Sequence, residues 1–241
     1  NVAVMVGRHD PAGELVDVNA SGSVTGHGRV GGIVGISRGT ITRAHATVDV
    51  TASGQVGGVV GNAKSSTINH SNASGTVSGT DNVGGLVGFA RQDSVVNSSS
   101  ASGVVSADDS VGGLVGYTNG TVTASTASGA VSGSEYVGGL VGSTGQYSII
   151  NRSNATGIVS GEERVGGLVG WNRGAVSTSY ATGGVTGGQY VGGLIGYCNR
   201  GEVDVAYATG TVTGTTRVGG FIGDAYDTAI KNSYADGEAG V

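Results

Sequence analysis

The sequence predicts an all-β chain wound into a parallel β-solenoid, a three-sided β-helix of about nine coils of 26–28 residues each. Three observations carry that fold class. The stretch Val137-Gly138-Gly139-Leu140-Val141-Gly142 (VGGLVG) returns in near-identical form at Val30, Val56, Val83, Val111, Val165, Val191 and Val218, and a degenerate copy, VAVMVG, opens at Val2. Two further apolar columns return with it. One is Leu15, Ile41, Ile68, Val96, Val122, Ile150, Val176, Val203 and Ile230; the other is Val24, Val50, Val77, Val105, Val131, Val159, Val185 and Val212, closed by Ala239. The third observation is their spacing. Second to third column always takes 9 residues and third to the next VGGLVG always 6, while VGGLVG to the second column takes 11, 12 or 13. Fixed spacing marks stacked, in-register elements, and the variable step marks a solvent loop that tolerates insertion. The repeats leave no linker, so residues 1–241 form one elongated domain.

Each column predicts a short strand, because β-branched residues dominate and no capped run at helical period occurs. In the first, alternation from Val137 places Gly139 and Val141 inward and Leu140 outward, unless the Gly pair bends the chain there. The second centres on the Ile/Val column. The third alternates plainly: counting back from Val185, Gly183, Ala181 and Ser179 share the inner face. Ala is unbroken at its position, from Ala20 through Ala127 to Ala235, and the Gly column beside it is broken only by Val48, which implies a narrow interior. Two hydroxyl columns face outward, one including Thr156, Thr182 and Thr209, the other Ser160, Thr186 and Thr213. Parallel pairing at ~4.8 Å per coil makes a rod roughly 43 Å long. No coil buries its own apolar side, so stability comes from stacking. Parallel crossovers favour right-handed winding.

Composition excludes several classes. Gly is 50 of 241 residues without an every-third-residue rule, and the single Pro is Pro11, so the chain is not collagen. Periodic apolar positions and a net charge of only −5 argue against disorder. No apolar run is long enough to cross a bilayer. One cysteine, Cys198, allows neither an internal disulfide nor a multi-cysteine metal cage. Against 17 Asp and Glu stand 12 Lys and Arg, and no basic stripe is visible, so no nucleic-acid partner is expected. The chain starts at Asn1 without a secretory signal and reads as a piece of a longer protein.

VGGLVG, followed by a short polar turn and an Ile or Val with Ser after it, resembles the GLUG motif, a repeat of bacterial surface adhesins and immunoglobulin-A-specific metalloproteases. The resemblance runs from Val2 to about Ser233 and rests on eight close copies. The first copy departs, with Ala3, Val4 and Met5 in place of Gly, Gly and Leu, and the last lacks its third-column Val and carries Asp236 and Glu238 outward. What the resemblance implies is an extracellular or surface-anchored bacterial protein in which these repeats form a stalk or display segment, without catalytic residues.

A search for chemistry agrees with a non-enzymatic module that needs no cofactor. His9, His27, His45 and His70 form no HExxH zinc sequence, and His45 and His70 fall near outward repeat positions. VGGLVG lacks the GxGxxG spacing and a following helix, and its Gly residues read as packing and turn positions. Asp108-Asp109 and Glu162-Glu163 read as solvated turn residues, and Cys198 as a bystander in a variable loop. The residue after VGGLVG is aromatic in four repeats, Phe89, Tyr117, Trp171 and Tyr197, with Tyr147 and Tyr226 further along other loops. Stacked coils place these on one edge, where they either engage a glycan or protein partner on a host or bacterial surface or fold back to cover the coil edge. Two alternatives stay open. Uncapped strand edges could pair end to end into a filament, and the hydroxyl columns resemble ice-binding faces although the column between them is ragged.

Overall fold

The computed structural model describes residues 1–241 and contains no helix. All strand pairing is parallel, and each pair joins a residue to its repeat equivalent one coil on. Val50, Val77, Val105, Val131, Val159, Val185 and Val212 follow one another in register. The chain is therefore a β-solenoid of stacked coils, held together by strand pairing and by one apolar core cluster of 51 buried residues. Hydrogen bonding gathers the strands into one sheet of 23 and two sheets of 9.

Interior coils carry five segments where the apolar columns predict three strands. In the coil that opens at Val137 these are Glu135–Gly138, Val141–Thr144, Ile149–Asn151, Asn154–Ala155 and Val159–Ser160. The third predicted strand breaks near Gly157, which lies so close to its equivalent one coil back that a Cβ would strike the Gly129 carbonyl oxygen. The strand runs unbroken over His45–Gly57, where Val48 replaces that glycine, and over Asn19–Gly31, where Gly22 has no neighbour within 4 Å of a Cβ.

The first predicted strand is not a strand but an arch. The chain bends at Gly139 and Leu140, so VGGLVG contributes one limb to the large sheet and the other to a nine-stranded sheet. The bend at the Gly pair, the exception allowed to simple alternation, turns Leu140 inward: Val137, Leu140 and Val141 are all fully buried. Two limbs this close leave no room for side chains at the glycines. A Cβ on Gly138 would strike the Val141 carbonyl oxygen, and one on Gly142 would lie 2.6 Å from the Val111 nitrogen of the preceding coil. Leu86, Leu114, Leu168 and Leu194 repeat the inward position. Burial of each such side chain contributes about 1.5–3 kcal/mol.

A second corner follows the second apolar column. Two residues beyond it the backbone is left-handed in every coil, at Asp17, Arg43, His70, Ser98, Ala124, Arg152, Thr178, Val205 and Asn232, with φ between 46° and 54°. The next residue is a buried serine in five consecutive coils. Ser125 shows its use: its hydroxyl donates to the Thr123 carbonyl (2.8 Å) and accepts the Ser99 N–H (3.1 Å). Ser71, Ser99 and Ser153 do the same, so a hydroxyl ladder inside the rod satisfies backbone groups that the corner removes from the sheets.

Candidate functional site

The arch decides where the candidate aromatic residues go. Phe89, Tyr117, Trp171 and Tyr197 are not in loops, as expected from the sequence, but inside the outer limb, on strands Val87–Ala90, Val115–Thr118, Val169–Asn172 and Ile195–Asn199. The limb extends two or three residues past the last Gly before the variable loop begins. Phe89 pairs with Tyr117, Tyr117 with Ser143, Ser143 with Trp171 and Trp171 with Tyr197, so the four form one ladder interrupted at Ser143. Each is half-buried. Tyr147 and Tyr226 stand more exposed.

A second column, missed in the sequence, meets this ladder. Tyr136 lies three residues before Gly139, and Ser143 three after Leu140, so folding at that pair brings both to the mouth of the arch. The signal was present as this symmetry. The mouth column is Asn82, Ser110, Tyr136, Arg164, Tyr190 and Arg217, all left-handed with φ of 50–55°. Tyr136 stacks on Trp171 (5.2 Å between centroids), Tyr190 leans on Tyr197 (5.6 Å), and Ser110 reaches Ser143 (3.1 Å between hydroxyls). Phe89 and Tyr117 stack at 4.6 Å, nearly parallel. Each of these rings is thus half-buried with a neighbouring ring against it.

Arg164 is the hub of the mouth. Its guanidinium lies 5.0 Å from the Tyr136 ring, 5.4 Å from Tyr190 and 5.9 Å from Tyr197, and it pairs with Glu163 (2.8 Å) and, more loosely, Glu135 (3.9 Å). Those glutamates belong to a ladder in which Asp81, Asp109, Glu135 and Glu163 stand in register. Of the pairs read as solvated turns, Asp108 and Glu162 are exposed, whereas Asp109 and Glu163 are half-buried. Burial, and then the neighbouring Glu135 and Asp81 carboxylates, push the Asp109 carboxyl above its ordinary range, although Ser110 donates to it. Burial also raises the phenols of Tyr117 and Tyr136.

The remaining candidates are dispersed. Thr156, Thr182, Thr209, Ser160, Thr186 and Thr213 are exposed on the outer face, and Ser160, Thr186 and Thr213 are aligned coil to coil. Between the two hydroxyl lines protrude Val104 and Ile158, the latter 65% exposed. His45 and His70 are exposed. His9 is buried, hydrogen-bonded to Ser37 (3.0 Å), which in turn bonds Ser66 (2.8 Å), and burial lowers its imidazole below the usual value. Ser37 is fully enclosed, so no substrate reaches that hydroxyl. Cys198 lies on a strand instead of in a loop, fully buried against Asn172. No group of three or more His, Cys, Asp and Glu is placed to hold a metal ion.

Stacking also assembles what the linear order hides. Arg38, Lys64 and Arg91 occupy one position in three successive coils, each N–H bonded to the coil before, with Arg8 and Arg29 beside them. A basic stripe exists on this edge, contrary to the linear reading.

No family model matches the chain, and neither a curated protein nor a solved structure does so.

Proposed function

We propose that this chain is a non-enzymatic stalk or display segment of a bacterial cell-surface adhesin, working outside the cell. The observation that supports this reading is the uniform outward presentation of side-chain columns by a stack of coils whose interior is filled by Val, Leu, Ile, Ala and Gly. Such a rod holds surface residues at a fixed one-coil interval and keeps its own backbone hydrogen bonds satisfied. The resemblance of VGGLVG to the GLUG motif points the same way. In this reading the mouth of the arch, from Phe89 to Tyr197, is the contact edge for a glycan or protein, offering half-buried rings, the Arg164 guanidinium and the carboxylates beside it.

Two measurements test the proposal. Protease treatment of intact producing cells should release peptides from these repeats; their recovery only after lysis would remove the surface assignment. A glycan array probed with the purified chain and with Trp171→Ala and Tyr117→Ala addresses the contact edge. Binding that both variants leave unchanged would exclude it.

A further inference from the structure

The basic edge is the feature that neither the fold nor the aromatic ladder explains. Five of the twelve cationic side chains, Arg8, Arg29, Arg38, Lys64 and Arg91, gather on the first four coils of a chain whose net charge is −5. Arg8 has a carboxylate partner, Asp10 at 3.2 Å; Arg29, Arg38, Lys64 and Arg91 form no ion pair. Arg29 Nε and Arg38 Nη1 are buried without an acceptor in the protein. Burial and then the charges of Arg91, Arg29, Arg38 and Arg8 lower the Lys64 ammonium below its ordinary value. Like charges one coil apart repel by about 1 kcal/mol per pair even in water. An isolated rod gains nothing from this arrangement, whereas an anion laid along the stripe would neutralise it.

A groove lies beside the stripe. It encloses about 370 Å³ and is lined by Lys64, Ser65, Phe89, Arg91, Gln92 and Tyr117, with Asn119 at its end. The Arg91 guanidinium sits 5.6 Å from the Phe89 ring, which fixes the cation at the groove wall. We propose that this groove and the adjoining stripe bind an extended anionic polysaccharide, with a carboxylate or sulfate of successive sugars on Arg38, Lys64 and Arg91. The hydroxyls of the same sugars meet Ser65, Gln92, Asn119 and the Tyr117 phenol, a lining of donors and acceptors suited to them. Single-stranded nucleic acid, the other polyanion, binds by stacking its bases on free ring faces. Here the Phe89–Tyr117 stack takes up one face of each ring, and the Arg91 guanidinium lies over Phe89, leaving little ring surface for bases. The assignment rests on the display reading above and names a ligand for it.

The test uses the whole chain and labelled oligogalacturonate, with a sulfated glycosaminoglycan, a neutral galactan and single-stranded DNA of similar length beside it. Binding of either anionic glycan should weaken about tenfold or more in Lys64→Gln/Arg91→Gln, and Arg38→Gln should weaken it further. Arg152→Gln, at the exposed corner after the second apolar column, should leave it unchanged. Three ionic contacts predict a loss of about twentyfold between about 50 and 200 mM salt. Preference for the carboxylated or the sulfated glycan identifies the anion. Tighter binding of the DNA, binding indifferent to salt and to these substitutions, or no binding to either anionic glycan overturns the proposal. Neutral galactan bound through Trp171 but not Lys64 overturns it while leaving the display reading intact, and protease accessibility on whole cells is independent of every arm.

Discussion

At the scale of single residues the rod carries two costs that can be removed. Val205 is 50% exposed and held in the left-handed region at φ 51°, where a β-branched side chain crowds its own backbone. The equivalent residue of the last coil is Asn232, which adopts φ 46° and donates to Asp204 (2.9 Å). Val205→Asn is expected to stabilise the chain by about 1 kcal/mol, read as a higher urea midpoint. Asp109 carries the second cost. Its carboxyl is harder to ionise folded than unfolded, because of burial and then Glu135 and Asp81. The folded chain therefore keeps a proton that the unfolded chain has lost, and this group's contribution improves as pH falls from neutral through the raised value toward the ordinary carboxylate range near ~4. His9 works in the opposite sense: burial disfavours its charged form, so its contribution weakens as pH falls through about 6.5. The informative comparison is of Asp109→Asn with the parent at each pH. The variant should be more stable at neutral pH, and the gap should close toward ~4.5. A gap that persists unchanged would separate its effect from ionisation.

At the scale of the element, everything turns on the arch. A Cβ at Gly139 would strike the Gly167 carbonyl oxygen and lie 2.9 Å from Ala155 Cβ, so neither the bend nor the neighbouring coil can yield easily. Gly139→Ala is expected to cost about 1–3 kcal/mol, seen as a lower urea midpoint with an unchanged β-type circular dichroism spectrum. The arch also explains what was legible in the sequence and what was not. Column spacings carried the stacking, register and coil number, because those depend only on counting from Val to Val. Strand identity inside VGGLVG was not legible, since a Gly pair permits extension and reversal equally, and burial of Leu140 depended on which occurred. The candidate aromatic residues were found from their place after VGGLVG, but their partners Tyr136, Arg164 and Tyr190 were not. Those precede the arch, and only reversal at Gly139-Leu140 makes them neighbours. The basic stripe was missed for a related reason: Arg38, Lys64 and Arg91 are 26–27 residues apart in sequence and one coil apart in space.

At the scale of the whole molecule the coils behave as exchangeable units. Interior coils present the same buried set, with Val, Leu, Ile and Ala fully enclosed from coil to coil, and their bonds run to the coils directly before and after. In such a stack stability is approximately a sum of unit terms and nearest-neighbour terms. Removing one complete period should then shorten the rod without unfolding it. Deletion of Val137–Arg164, 28 residues, joins Tyr136 to Val165 and restores every column: Val165 succeeds Val111, Ile/Val order is kept through Val176, and Val185 succeeds Val131. The apolar face that Leu114 presents to Leu140 is met instead by Leu168. Arg164 is lost with the deleted period, so Glu135 loses its cation, and an exposed pair of this kind contributes at most about 1 kcal/mol. The expected product is a cooperative all-β chain whose long axis is shorter by about one coil rise of ~4.8 Å, read as a smaller maximum dimension in scattering. Deletion of half that length, Val137–Ile150, removes the arch while keeping the later columns, and should fold poorly or aggregate because the rod has no matching surface at the junction. Equal behaviour of the two deletions, measured by circular dichroism and small-angle scattering, would contradict a molecule built by repetition of one unit.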